Sequence, residues 1–187
     1  MGGEDPDGMD TIGTYLDAIA QHSQDRKAFL EANRLPFLVT IETVTEPLPG
    51  VLNAEGASAA TIAHDPAKLR RATSSAREAS VFPIQKRAGA NAEKAILVGR
   101  SRENDLWIND AEISKRHAQF NLTKAGYELI DIGSTNGTFV NDKPIEKQKP
   151  VVVSNYDAVR FGRAAKMQFL HPESFFDYLS VLRKFGL

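Results

Sequence analysis

Residues 117–140 read HAQFNLTKAGYELIDIGSTNGTFV. Three short apolar runs lie in this stretch, His117 to Phe120, Tyr127 to Ile130 and Thr138 to Val140, and turn residues separate them. Runs this short between Gly, Asn and Ser read as strands rather than helices. The same rhythm extends outward. Upstream are Val81 to Ile84, Ala95 to Val98 and Leu106 to Ile108. Downstream are Val151 to Val153, Ala158 to Phe161 and Met167 to Leu170. Strands repeating at a spacing of about 8–12 residues indicate an all-β sandwich. Its expected span is 81–170, with Trp107 in its core.

The flanks differ in pattern. In 1–47, Ile12, Tyr15, Leu16 and Ile19 fall at helical spacing, and so do Ala28, Phe29 and Ala32 one turn further on. Asp10 and Ser23 are the expected N-caps. The run from Phe37 to Ile41 reads as a strand. The apolar stripe of this helical extension is too narrow for an independent domain and must pack on something else. Residues 48–80 turn to Ala, Ser, Thr and Gly with few large apolar side chains, the composition of a linker. Asp65-Pro66 inside it is a helix-start signal. Residues 171–187 form an expected C-terminal helix from Pro172, with Phe175, Leu179 and Leu182 on one face and Phe176 beside them.

Composition narrows the function classes. The chain has 187 residues and a net charge of -1, which disfavours general nucleic-acid binding because that needs a strongly positive surface. It has no cysteine, hence no disulfide framework or thiolate metal site, and this suits a reducing cytoplasm. No apolar run is long enough to span a membrane. No phosphate-cradling Walker loop and no metal-spaced cluster occurs, so no cofactor or metal is expected.

Three motifs follow in order within the strand series. Gly99-Arg100 ends a strand, Ser114-Lys115-Arg116-His117 precedes the next alternating segment, and Ser134-Thr135-Asn136-Gly137-Thr138 sits between two strands. Each alone has an ordinary structural reading: a strand exit, a turn hydroxyl, a tight Asn-Gly hairpin. In this order and spacing they resemble the forkhead-associated (FHA) family. Asn104-Asp105, Asp131 and Phe161-Gly162 also match. The resemblance implies a mainly β, FHA-type sandwich with loops at one end that bind a phosphothreonine peptide. It implies Arg100 and Ser114 as phosphate ligands, with Lys115 beside them where the family often carries Arg or Asn. Thr135 would contact phosphate or peptide, and Asn136 would hold the ligand backbone. Gly99, His117 and Gly137 would be structural, the histidine bracing the serine loop. Chemically the set suits the task, since arginine donates paired, charge-assisted bonds to a phosphate.

The resemblance therefore implies a signalling module, not an enzyme. Its expected partner is a phosphothreonine protein written by a Ser/Thr kinase, with neither nucleic acid nor membrane involved. Two other readings stay open at this point. One is an FHA-fold scaffold that needs no phosphate. The other is a small hydrolase using Ser114, His117 and Asp131, although no nucleophile-elbow signature surrounds Ser114. Arg102, Lys115 and Arg116 would enlarge a basic field at the loops. Thr40, Thr43, Thr45, Thr61 and Thr73 precede the sandwich, and a phosphorylated Thr73, following Arg70 and Arg71, could reach the loops on its own tether.

Overall fold

The computed structural model describes residues 10–21, 25–40, 76–89, 93–163 and 166–184. Residues 41–75, with the helix start at Asp65-Pro66 and the threonines from Thr43 to Thr73, lie outside them, as does Ser23. Among the described residues are twelve strands, three helices named below and a helical stretch at 76–78. The N-terminal part holds β1 (Asp10–Thr11), α1 (Ile12–Gln21), α2 (Arg26–Ala32) and β2 (Phe37–Thr40). After the break come β3 (Ser80–Pro83), β4 (Ile96–Gly99), β5 (Leu106–Trp107), β6 (Ala118–Thr123), β7 (Gly126–Asp131) and β8 (Thr138–Val140). The chain ends with β9 (Lys143–Pro144), β10 (Val151–Val153), β11 (Ala158–Phe161), β12 (Lys166–Leu170) and α3 (Pro172–Lys184).

Two sheets form the sandwich. One has the order β1-β3-β2-β12-β11-β8-β9, the other β10-β7-β6-β4-β5. Between them lie Leu38, Phe82, Val98, Phe120, Leu129, Phe161 and Phe169. The β3-β2-β12 part of the larger sheet is buried on both faces. Because strand side chains alternate, Leu38 of β2 enters the sandwich while Phe37 and Val39 face the helices. The same split places Phe82 and Phe169 inside the sandwich and Val81 and Leu170 under the helices. This explains why Phe37 to Val39 is continuously apolar instead of alternating.

The expected boundary at residue 81 runs through this sheet. β2, from the expected extension, pairs with both β3 and β12. Ala76 and Ala79, at the end of the expected linker, are buried with α1 and α3. The extension thus does pack on something: its helices cover the outer face of β3, β2 and β12. Phe175 meets Phe37 at 4.6 Å and Tyr15 at 5.1 Å between ring centroids, and Phe29 meets Phe176 at 5.3 Å. These edge-on and tilted pairs suit aromatic quadrupoles.

The helix caps shift from their expected places. Asp10 is in a strand bridge, and Thr11 caps α1 by accepting from Thr14 N at 3.3 Å. Asp25 caps α2, accepting from Ala28 N at 2.8 Å. In α3, Glu173 lies in the first turn and Arg183 and Lys184 in the last, complementing the helix dipole. No described helix is long and apolar enough to cross a membrane.

Candidate functional site

Three loops meet at one end of the sandwich: 100–105 after β4, 108–117 before β6 and 132–137 after β7. Backbone contacts lock the first two together, with Arg100 N donating to Ser114 O at 2.9 Å and Ser101 N to Lys115 O at 3.1 Å. Asn104 Nδ2 bridges them again, donating to Ser101 O at 2.7 Å and Lys115 O at 2.6 Å. The approach is so close that a Cβ on Gly99 would lie 2.4 Å from Lys115 O. No other residue fits there without shifting backbone, which accounts for the glycine before Arg100.

Beneath the loops lies a buried polar brace. His117 is fully buried. Its Nδ1 accepts from Ser114 N at 3.1 Å, so its Nε2 carries the proton and donates to Gly137 O at 3.1 Å. One imidazole thereby ties the serine loop to the Asn-Gly loop. Burial pushes its pKa below the ordinary value, although Gly137 O and Asp131 pull the other way. Asp131 is also fully buried. It accepts from Gly133 N, Ser134 N, Ser134 Oγ and Thr138 Oγ1 at 2.6–2.9 Å. Burial alone would raise its pKa, but these bonds from Ser134, Gly133 and Thr138 hold it below the usual carboxylate value. Ser134 Oγ in turn receives Gly137 N at 2.9 Å, and Gly137 sits at φ 79°, where glycine is favoured.

On this brace stand the exposed groups. Arg100 Nε donates to Ile113 O at 3.2 Å, which holds the guanidinium beside the serine loop with its terminal nitrogens unpartnered among the described residues. Ser114 Oγ receives Thr135 N at 3.0 Å and lies 3.4 Å from Thr135 Oγ1. Asn136 Nδ2 donates to Glu112 O at 2.9 Å. Lys115 contributes its backbone carbonyl to the loop and leaves its ammonium exposed. Arg100, Ser114, Thr135 and Asn136 are thus brought together by direct or one-step contacts, with Lys115 adjacent. Such an array offers a planar cation, a hydroxyl and an amide to one small anionic group. Among the described residues no cluster of His, Asp and Glu could hold a metal.

Several readings change. Trp107 is half-buried, not core: Nε1 donates to Arg100 O at 3.1 Å and Arg102 stacks over its ring at 4.5 Å. The strand is too short and too near the loops for its outward residue to be covered. Arg116 pairs with Glu93 at 2.6 Å, which reduces its share of the basic field. The Asn-Gly turn is not a hairpin, because β7 and β8 belong to different sheets. Nor do Ser114, His117 and Asp131 form a relay: the imidazole meets Ser114 through its amide, and Asp131 is engaged by Ser134 and Thr138. Glu112 is the site residue that sequence reasoning missed, since its contact with Asn136 spans 24 positions.

The family model described as "FHA domain" matches residues 96–162. Glycogen accumulation regulator GarA of Mycolicibacterium smegmatis is 34% identical over 76 residues, covering 41% of this chain and 46% of that protein. An oxoglutarate dehydrogenase inhibitor of Corynebacterium jeikeium is 36% identical over 93 residues, covering 46% and 62%. The chain spans about half the length of these curated relatives. Among solved structures, Mycobacterium tuberculosis EmbR in complex with a low-affinity phosphopeptide is 26% identical with a TM-score of 0.42, over 52% of this chain and 22% of that one.

Proposed function

Residues 96–162 form an FHA domain, and on that premise we propose that its loops bind a phosphothreonine segment of a partner protein. The observation that carries this reading is the placement of Arg100, Ser114, Thr135 and Asn136 at one loop end over the His117 and Asp131 brace. Arg100 would take two phosphate oxygens, Ser114 and Thr135 a third, and Lys115 would add a mobile positive charge. Asn136 would hold the ligand main chain with its amide. A Ser/Thr kinase acting on the partner writes the signal, and the chain reads it without catalysing a reaction. With few anchors, affinity for a short peptide should be about micromolar. The names of the relatives above make an enzyme of central metabolism a reasonable first target class to try.

The test is an oriented phosphopeptide library followed by anisotropy titration of matched phosphothreonine, phosphoserine and unphosphorylated peptides. The phosphothreonine form should bind best. One buried methyl group is worth about 0.8 kcal/mol, so phosphoserine should trail by about fourfold or more. Equal binding of phosphorylated and unphosphorylated peptides would overturn the proposal.

A further inference from the structure

The amide nitrogen of Asn136 has two acceptors, both on Glu112. Nδ2 donates to the main-chain O of Glu112 at 2.9 Å and to its carboxylate Oε2 at 3.2 Å. The two bonds differ in kind. The first is built into the fold. Glu112 N is held by Asp110 Oδ1 at 2.8 Å, and the neighbouring Ile113 is buried. Gly162 lacks the Cβ that would sit 2.6 Å from Glu112 O and 3.2 Å from the Cβ of Asn136, so three segments close on one point. That packing orients the asparagine without help from the carboxylate. The second bond comes from a half-buried, three-torsion side chain, and it occupies the donor that a ligand carbonyl would need. Arg163, just beyond Gly162, makes no ion pair with it among the described residues. Of the residues proposed to face the ligand, Arg100 and Lys115 are positive; Asp131 is buried beneath them, and Glu103 and Asp110 stand elsewhere on the same loops.

We propose that the Glu112 carboxylate is a built-in competitor for Asn136 and a charge selector for the ligand residues lying over it. This rests on the phosphothreonine-binding reading. An incoming carbonyl displaces the carboxylate, which then faces the flanking ligand side chains. It favours Lys or Arg there and disfavours Asp or Glu.

The experiment uses the full chain as wild type, Glu112→Ala, Glu112→Gln and Glu112→Lys, with melting curves as the fold control. Peptides keep one phosphothreonine, and each of the three residues on either side is varied among Ala, Lys and Glu. At one or two positions wild type should prefer Lys over Glu by about fivefold, the scale of an exposed charge pair. Glu112→Gln should erase that preference, and Glu112→Lys should invert it. Glu112→Ala should bind the all-Ala peptide more tightly than wild type does. The same Lys-to-Glu ratio in wild type and Glu112→Lys at every position overturns the selector. Weaker binding by a normally melting Glu112→Ala overturns the competitor, since the carboxylate would then be supporting Asn136. Wild type that binds phosphothreonine while the variants stay flat defeats this inference alone. Wild type that binds no phosphothreonine peptide defeats the parent reading as well.

Discussion

Two regions of this chain are buried equally well by opposite chemistry. Under the loops, His117, Asp131, Ser134 and Thr138 are all at 0% exposure. Over the outer face of the larger sheet, Phe29, Phe37, Phe175 and Leu179 are at 2% or less. The first region is joined by directional hydrogen bonds, and the second by apolar contact. Apolar packing removes area from water and so supplies stability, but it is tolerant of how each atom is placed. A network of buried hydrogen bonds contributes less net stability per group yet fixes angles and distances. The helical face should therefore govern whether the chain folds, and the polar brace where Arg100, Ser114 and Asn136 stand.

The largest expected effect lies on the apolar side. Phe37→Ala opens a cavity in β2, between β3 and β12 and against Phe175, and should cost about 3–5 kcal/mol of stability. Thermal melts would show it, while phosphopeptide affinity measured well below the melting point should stay unchanged. A changed affinity with an unchanged melting temperature would break the division. Next is the exposed Arg100. Arg100→Ala should weaken phosphopeptide binding by about 2–5 kcal/mol and leave the melting temperature alone. Calorimetry showing equal affinity in a folded variant removes Arg100 from the site.

The smallest effect sharpens the comparison, because His117 belongs to both sides of it. His117→Ala leaves Ser114 N and Gly137 O without their partner, which should cost about 1–3 kcal/mol of stability and loosen at once the two loops that carry Ser114 and Asn136. The residue also sets a pH dependence. Burial lowers its pKa from the ordinary 6.5, so as pH falls through that value the unfolded chain takes up a proton that the folded protein refuses. Stability from this residue is full above the window and declines down through it, toward the lowered folded pKa. Melting between about pH 7 and pH 5 should thus be less steep for His117→Asn than for wild type. Equal slopes would show that the imidazole is not buried in its neutral form.

Local signals made the strand series and the loop motifs readable. The Gly-Arg, Ser-Lys-Arg-His and Ser-Thr-Asn-Gly motifs each depend on turn chemistry within a few residues, and Asp131 with Gly133 and Ser134 is a short-range side-chain turn of the kind sequence can suggest. β1 and β9, each two residues long, left no such pattern. Trp107 looked like core because its neighbours Leu106 and Ile108 are buried; its own outward position depends on which face a two-residue strand turns to the sheet. The contact of Glu112 with Asn136 had no local trace at all.

The amino-acid sequence alone determined that short strands would alternate with turns, where the three loop motifs fall between them, and that the N-terminal stripe needed a partner surface. Those are properties of composition and spacing over a few positions. Only the tertiary structure decided that β2 would insert between β3 and β12, that these three strands would be buried on both faces, and that one imidazole would join two loops. It also decided that Glu112 would hold Asn136. Each of these joins segments far apart in the chain, from 20 residues for His117 and Gly137 to more than a hundred for β2 and β12. Such pairings are selected by the simultaneous fit of all the surfaces, and no short window of sequence records that fit.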